Sequence, residues 1–325
     1  PPRSTLFPYT TLFRSQMTLW LLPKPSHFKI ALFMLEEENQ IQNFVDRLRP
    51  LRMDGTLKSV IHIGNDLRVV SMSQSYPFEE VKNITSLDQN HRKRLRAKHG
   101  VGFWSGTAGF YGDKSQVNAD INKFKRALKG LKGVKVVVLD EKRIALAEKI
   151  LQFLARFGKG KSFIQLGKKV RLAFELLKGN SPENCVQGGL WRSKAVVIKD
   201  VKTNDPRDYD AGFYWISPVI PMTGNSVLEL NQLIEPIFHE YGFDMQQTLS
   251  MTTQRALSAV LTISFDKKND VECAKAKACH DHIVKILMAN GYILYRAGNH
   301  SMPFTNATRK DKGSFLQTIK NSLDP

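Results

Sequence analysis

The chain is short of cysteine, of acidic side chains and of long apolar runs. Its 325 residues carry three cysteines, Cys185, Cys273 and Cys279. These are too few for a disulfide framework, lack zinc-ribbon spacing, and fit a reducing compartment. No stretch approaches the ~20 uncharged apolar residues of a membrane-spanning helix. There is no Gly-x-x-x-x-Gly-Lys-Ser/Thr loop, and no Gly-x-Gly-x-x-Gly opens a helix after a strand. A nucleotide would therefore need backbone donors from another source. Apolar residues at 42% and aromatics at 10% supply a core, which excludes collagen-like, coiled-coil and wholly disordered chains.

The shortage of acid leaves 30 acidic against 48 basic residues, a net charge of +18 and a pI near 9.8. The excess is uneven, with 21 basic side chains against five acidic ones between His91 and Arg171. Nucleic acid, anionic lipid or an acidic partner are all physically allowed there. However, these lysines and arginines recur beside amphipathic apolar positions, as on a solvated helical face. Aromatic residues do not interleave with them as in a single-strand stacking groove. Nucleic acid is thus not expected, and a basic nucleic-acid or acidic-partner binding module without catalysis stands as the rival class.

Both ends look unnatural. Residues 1–15 show neither helical nor strand period, and Thr5 to Ser15 reads like a translated sequencing adapter. They are expected to be a non-native leader rather than a signal peptide, having no apolar core followed by a small-residue cleavage site. At the other end the helical pattern Phe315, Leu316, Ile319, Leu323 stops at Asp324-Pro325. The chain reads as a fragment.

Between the ends the apolar period alternates between strand and helix. His27 to Leu35 reads as a strand, and Ile41, Phe44, Val45 and Leu48 as one helical face that Pro50 ends. Ser59 to Ser71 suggests a hairpin turning at Gly64-Asn65-Asp66. Val101 to Tyr111, a helix through Val117 to Leu128, a strand Val134 to Leu139 and a helix Ala145 to Phe157 follow. In the second half come a strand Gly212 to Val219, a helix Val227 to Tyr241 capped by Gly242, and a hairpin of Gln246–Thr253 with Leu257–Phe265. A helix Val271 to Asn290, capped by Gly291, and a strand Tyr292 to Arg296 complete it. That order is β-α-β-β-α-β, the split motif. The fold class is α+β: a large antiparallel sheet covered by helices, built from two ferredoxin-like units.

Chemistry-bearing residues are sparse. Cys273, Cys279, His280 and His282 cluster in sequence but do not converge on one helical face as four metal ligands would. His239 and His62 sit on ordinary amphipathic elements. Tyr295 and Arg296 end a strand before the irregular loop Ala297 to His300, where a hydroxyl and a permanent cation suit a phenolate or carboxylate.

The segments Gly212-Phe-Tyr-Trp-Ile-Ser-Pro-Val-Ile-Pro-Met-Thr-Gly224, His239-Glu-Tyr-Gly-Phe-Asp244 and Gly291-Tyr-Ile-Leu-Tyr-Arg296 resemble, in order and spacing, the vanillyl-alcohol oxidase and 4-cresol dehydrogenase (p-cresol methylhydroxylase) flavoprotein family. Gln16 to Pro25, Ser59 to Arg68 and Leu176 to Gly179 are similar to the cap-domain half of its 4-cresol dehydrogenase branch. The resemblance implies an FAD enzyme whose larger FAD-binding part precedes Gln16. Residues 16–25 would be a remnant of that domain, 26–298 the cap and substrate domain, and 299–325 a truncated return segment. The family oxidises para-substituted phenols by passing a benzylic hydride to flavin, leaving a quinone methide that water attacks. In that scheme Tyr295 and Arg296 match the pair that holds the phenolate and steadies negative charge on the reduced flavin. Trp215 matches a pocket-lining aromatic, and Thr248 a polar position near the reacting carbon.

Two positions depart from the family. Phe213 stands where the alcohol-oxidase branch attaches flavin to histidine, so histidyl attachment is not expected. Tyr209 is the nearby counterpart of a flavin-linking tyrosine, but out of register. The usual acid-base carboxylate and a late arginine would lie outside the chain. The implied partners are a small phenol, an electron acceptor such as a cytochrome c and, at full length, a second copy in a homodimer. The protein is expected to be soluble, with its compartment left open.

Overall fold

A computed structural model describes residues 24–325 except 82–85, 157–160, 181–186, 195–208, 299, 303, 305–317, 320 and 324–325. Strand β1 (His27–Leu35) is the apolar run its sequence shows, with Ile30, Ala31, Phe33 and Leu35 buried, and helix α1 (Gln40–Met53) buries Ile41, Phe44, Val45 and Leu48. Contrary to expectation, α1 runs through Pro50. The missing proline N–H costs one helical bond, but the helix must continue to bury Leu51, and the Pro50 carbonyl still accepts the Asp54 N–H at 2.9 Å.

The hairpin expected between Ser59 and Ser71 is instead β2 (His62–Asn65) feeding helix α2 (Asp66–Ser71). Asn65 is the cause: its Oδ1 accepts the Arg68 N–H at 3.0 Å, an N-cap rather than a turn. Helix α3 (Gln89–His99) escapes the apolar pattern because Leu95 is its one buried apolar residue. It is delimited by polar signals, Asp88 at the N-cap and Gly100 at φ +62° after its end. Next come β3 (Trp104–Gly112), α4 (Lys114–Leu128), β4 (Val134–Leu139), α5 (Glu141–Arg156) and α6 (Lys161–Lys178).

The expected strand Gly212–Val219 is broken in two, β5 (Ala211–Ile216) and β6 (Pro218–Pro221). Pro218 has no N–H to give the ladder, yet both pieces keep one continuous antiparallel register on β8. Helix α7 (Gly224–Glu240), the hairpin β7 (Gln246–Ser250) and β8 (Ala256–Asp266), and helix α8 (Asp270–Ala289) follow the sequence reading. The final strand narrows to β9 (Ile293–Leu294). Gly224 can open α7 only as glycine, since a Cβ there would fall 2.1 Å from the Gln42 backbone of α1.

Together these make one nine-stranded sheet in the order β4-β1-β3-β2-β7-β8-β6-β9, with β5 also on β8. Taking β5 and β6 as one strand, each half has the 4-1-3-2 strand order of a ferredoxin-like unit, and β2 joins β7 antiparallel at Gly64↔Thr248. The two units share one large antiparallel sheet. Apolar residues of α1, α4, α7 and α8 form the main core with one face of the sheet. On the other face, toward the β4 end, Ile30 meets Ile144 of α5 and Phe174 of α6.

Part of the basic stretch is not a solvated face. Arg92, 2% exposed, bonds Asp66 at 2.8 Å and Glu235 at 2.8 Å, and Arg96 reaches Asp66 at 2.6 Å. Arg171 joins Glu148 at 2.8 Å and Glu175 at 3.4 Å.

Candidate functional site

Strand register decides which residues share a face. Trp215 lies opposite Thr262, which lies opposite Gln246. One step along, Thr248 lies between Val260 and Gly64. On the other side of β8, the Tyr295 N–H donates to the Ser217 carbonyl at 2.7 Å, extending the pairing of Val219 with Ile293. Trp215, Thr248 and Tyr295 therefore stand on the same face, with Thr248 and Tyr295 three strand spacings apart, roughly 14 Å. Trp215 sits one pleat away from the row that joins them.

That face is opposite to the α7–α8 core. Its partner face carries Ile216, Leu249, Leu257, Leu261 and Ile263, all buried. The site face instead bears Thr248, Ser250, Ser258, Thr262 and Ser264, with two large aromatics left open: Trp215 is 64% exposed and Tyr295 67%. Phe213 packs against Trp215 with ring centroids 4.9 Å apart. Arg296 is exposed beside Tyr295, and no carboxylate pairs with it among the described residues. Tyr209 lies half-buried at the bend before β5 and is not on this ladder.

His62, read from the sequence as an ordinary strand residue, also stands on the site face, as does Ser250. His62, opposite Ser250 on β7, has its Nδ1 2.9 Å from the Ser250 hydroxyl, one pleat from Thr248. Nothing in the strand alternation of His62 distinguishes it; only the β2–β7 junction does. The cysteine–histidine cluster of α8 lies on the other face. Burial pushes the Cys279 thiol up to about 12, so it is an inert core residue. His280 is buried, with Nδ1 3.0 Å from Asp281 and Nε2 3.1 Å from Ser301.

No family model matches the chain. It is 26% identical over 312 residues to the 1'-carboxy-chondrochloren decarboxylase of Chondromyces crocatus, covering 96% of this chain and 56% of that protein. To the 4-cresol dehydrogenase (hydroxylating) flavoprotein subunit of Pseudomonas putida it is 22% identical over 317 residues, covering 96% and 52%. The substrate-bound structure of p-cresol methylhydroxylase superposes with a TM-score of 0.75 at 21% identity, over 94% of this chain and 52% of that one. Over nearly its whole length the chain is similar to FAD-linked enzymes of the 4-cresol dehydrogenase type. The isoeugenol complex of 4-ethylphenol oxidase from Gulosibacter chungangensis superposes with a TM-score of 0.74 at 17% identity, over 94% and 53%.

The sheet and its helices have the fold of the cap domain of p-cresol methylhydroxylase-type FAD oxidases. The chain spans about half the length of the relatives it matches. Homologues such as the 4-cresol dehydrogenase flavoprotein subunit depend on FAD, and the site face suits its ring. An isoalloxazine is planar and gains negative charge on reduction, which exposed Trp215 and Tyr295 rings and the Arg296 guanidinium can meet. Among the described residues, no helix is long and apolar enough to cross a membrane.

Proposed function

We propose that this chain forms the substrate-side wall of an FAD-dependent oxidoreductase of para-substituted phenols. The observation that supports it is the shared open face of Trp215, Thr248 and Tyr295, with Arg296 beside them. In this proposal residues 26–298 are the cap over the flavin, and residues 16–25 and 299–325 connect it to the FAD-binding half. A cytochrome c-type electron acceptor and homodimeric assembly belong to the same proposal.

FAD, when bound, supplies the hydride acceptor. The chain's own residues prepare the substrate. A phenol ionises near ~10, so binding it as phenolate at neutral pH needs a fixed cation, and Arg296 provides one that does not lose its proton. The Tyr295 hydroxyl donates a hydrogen bond to the same oxygen, and the Trp215 indole packs on the substrate ring. Loss of the benzylic hydride leaves a quinone methide, and water adds to its exocyclic carbon. Thr248 can hold that water, and His62, hydrogen-bonded to Ser250, can take its proton.

A second reading is favoured by the higher identity to a decarboxylase. If the para side chain carries a carboxylate, the same quinone methide can regain aromaticity by losing carbon dioxide, whose departing bond returns its electron pair to the ring. Product analysis separates the two. FAD-loaded protein containing this chain is mixed anaerobically with 4-cresol or with 3-(4-hydroxyphenyl)propanoate. Bleaching of the flavin with 4-hydroxybenzyl alcohol as product supports hydroxylation, whereas 4-vinylphenol from the propanoate supports decarboxylation. Neither substrate bleaching the flavin would overturn both.

A further inference from the structure

Strand β4 is the edge of the sheet. Among the described residues it pairs only with β1, so its outer N–H and C=O groups have no strand beside them. Along it runs an open groove of about 400 Å³ between β4 and the end of α4. Its apolar lining is Leu128, Leu131, Val134 and Val136, and its rim is Lys125, Arg126 and Lys129. Val134 and Val136 are half-buried on the helix side of the sheet, where α4 stops short of covering them.

The charge around the groove has one sign. Between Ile121 and Leu139 the sequence holds six basic residues and no acid. Lys123 is occupied with Asp54 at 3.7 Å and Lys135 with Glu36 at 2.6 Å. Lys125, Arg126, Lys129 and Lys132 have no carboxylate partner among the described residues. Two cations at the end of α4 suffice to offset its dipole; Lys129 and Lys132 lie beyond it.

We propose that β4 and this groove are a docking edge for an extended acidic segment of a partner protein. The segment adds to β4 as a further strand, with alternate apolar side chains covering Val134, Val136 and Leu131 and the intervening carboxylates meeting Lys125, Arg126 and Lys129. Charge complementarity selects this occupant. A second copy of the chain would bring two basic rims together, which is repulsive. Nucleic acid would match the charge but not the apolar lining, and no aromatic side chain lines the groove for stacking. The inference stands apart from the redox site, which is on the opposite face.

The test uses the full chain and a fluorescein-labelled octapeptide of alternating Val and Glu, followed by fluorescence anisotropy. Saturable binding that weakens with salt is expected, together with slowed amide exchange in β4. The combined change Lys125→Glu, Arg126→Glu, Lys129→Glu, all at exposed positions, is expected to weaken binding ~10-fold or more. Val136→Lys should weaken it as well while adding attractive charge, which simple charge attraction cannot explain. Amide exchange on the unmodified chain keeps the proposal testable should a variant misfold. Equal binding of an alternating Gly and Glu octapeptide, or no protection of β4, would overturn it. So would tighter binding of a single-stranded oligonucleotide at this edge, or sedimentation showing a dimer that Val136→Lys dissociates.

Discussion

Asn65 and Gln247 meet where the two halves of the sheet join: the Asn65 Oδ1 accepts the Gln247 backbone N–H at 3.1 Å. The same oxygen caps α2 through Arg68, and Asn65 Nδ2 donates to the Met245 carbonyl at 2.7 Å. One buried side chain thus ends β2, starts α2 and fixes β7. Replacing Asn65 by Ala removes a cap worth about 1 kcal/mol and leaves buried backbone groups unpaired at about 1–3 kcal/mol each. A loss of about 3 kcal/mol in urea unfolding is expected. A loss below about 1 kcal/mol would show that the junction is held by other contacts.

The buried ions under α3 carry a second expectation. Arg92 is enclosed with Asp66 and Glu235, so Arg92→Leu leaves two carboxylates short of their partner. Breaking a buried pair in this way costs about 3–5 kcal/mol. Measured by urea unfolding, the variant should fall in that range, and α3 amides should exchange faster than those of α1. A variant of wild-type stability would mean that Arg96 alone balances the site.

His280 gives a pH dependence. Burial pushes its pKa below the ordinary histidine value, against the opposing hydrogen bond that its Nδ1 makes to the Asp281 carboxylate. Tyr214, His300, Lys277 and Ser301 are the other groups that face it. The folded protein holds this imidazole neutral, while the unfolded chain protonates it near ~6.5. The unfolded state therefore binds more protons below that point, and His280's contribution to stability falls as pH drops through ~6.5 toward its folded value. An NMR titration should find the His280 imidazole ionising below ~6.5, with the 300–302 turn loosening in parallel. Ionisation at or above ~6.5 would contradict the assigned cause.

Much of this fold is legible in the sequence because its elements are locally consistent. Strand β1 is an almost unbroken apolar run from Phe28 to Leu35, and α7 and α8 each end at a glycine of positive φ, Gly242 or Gly291. What failed did so for physical reasons. Gly64-Asn65-Asp66 is turn chemistry and cap chemistry at once, and only the neighbouring Met245 and Gln247 decide between them. Helix α3 draws its burial from Arg92, whose partners lie 26 and 143 residues away. The resemblance named Trp215, Thr248 and Tyr295, but not their common face, since that depends on register across β5, β6, β7 and β8. His62 joins them only through the β2–β7 pairing.

The most direct measurement is the rate of anaerobic flavin reduction by 4-cresol in FAD-loaded protein containing this chain, comparing wild type, Arg296→Ala and Tyr295→Phe. In the proposed clamp Arg296→Ala leaves the phenolate without its cation, a loss of about 2–4 kcal/mol or ~10²–10³-fold in rate. Tyr295→Phe removes one hydrogen bond and keeps the ring and the cation, so its effect should be smaller. Near-wild-type reduction by Arg296→Ala, or a larger loss in Tyr295→Phe, would contradict the phenolate clamp.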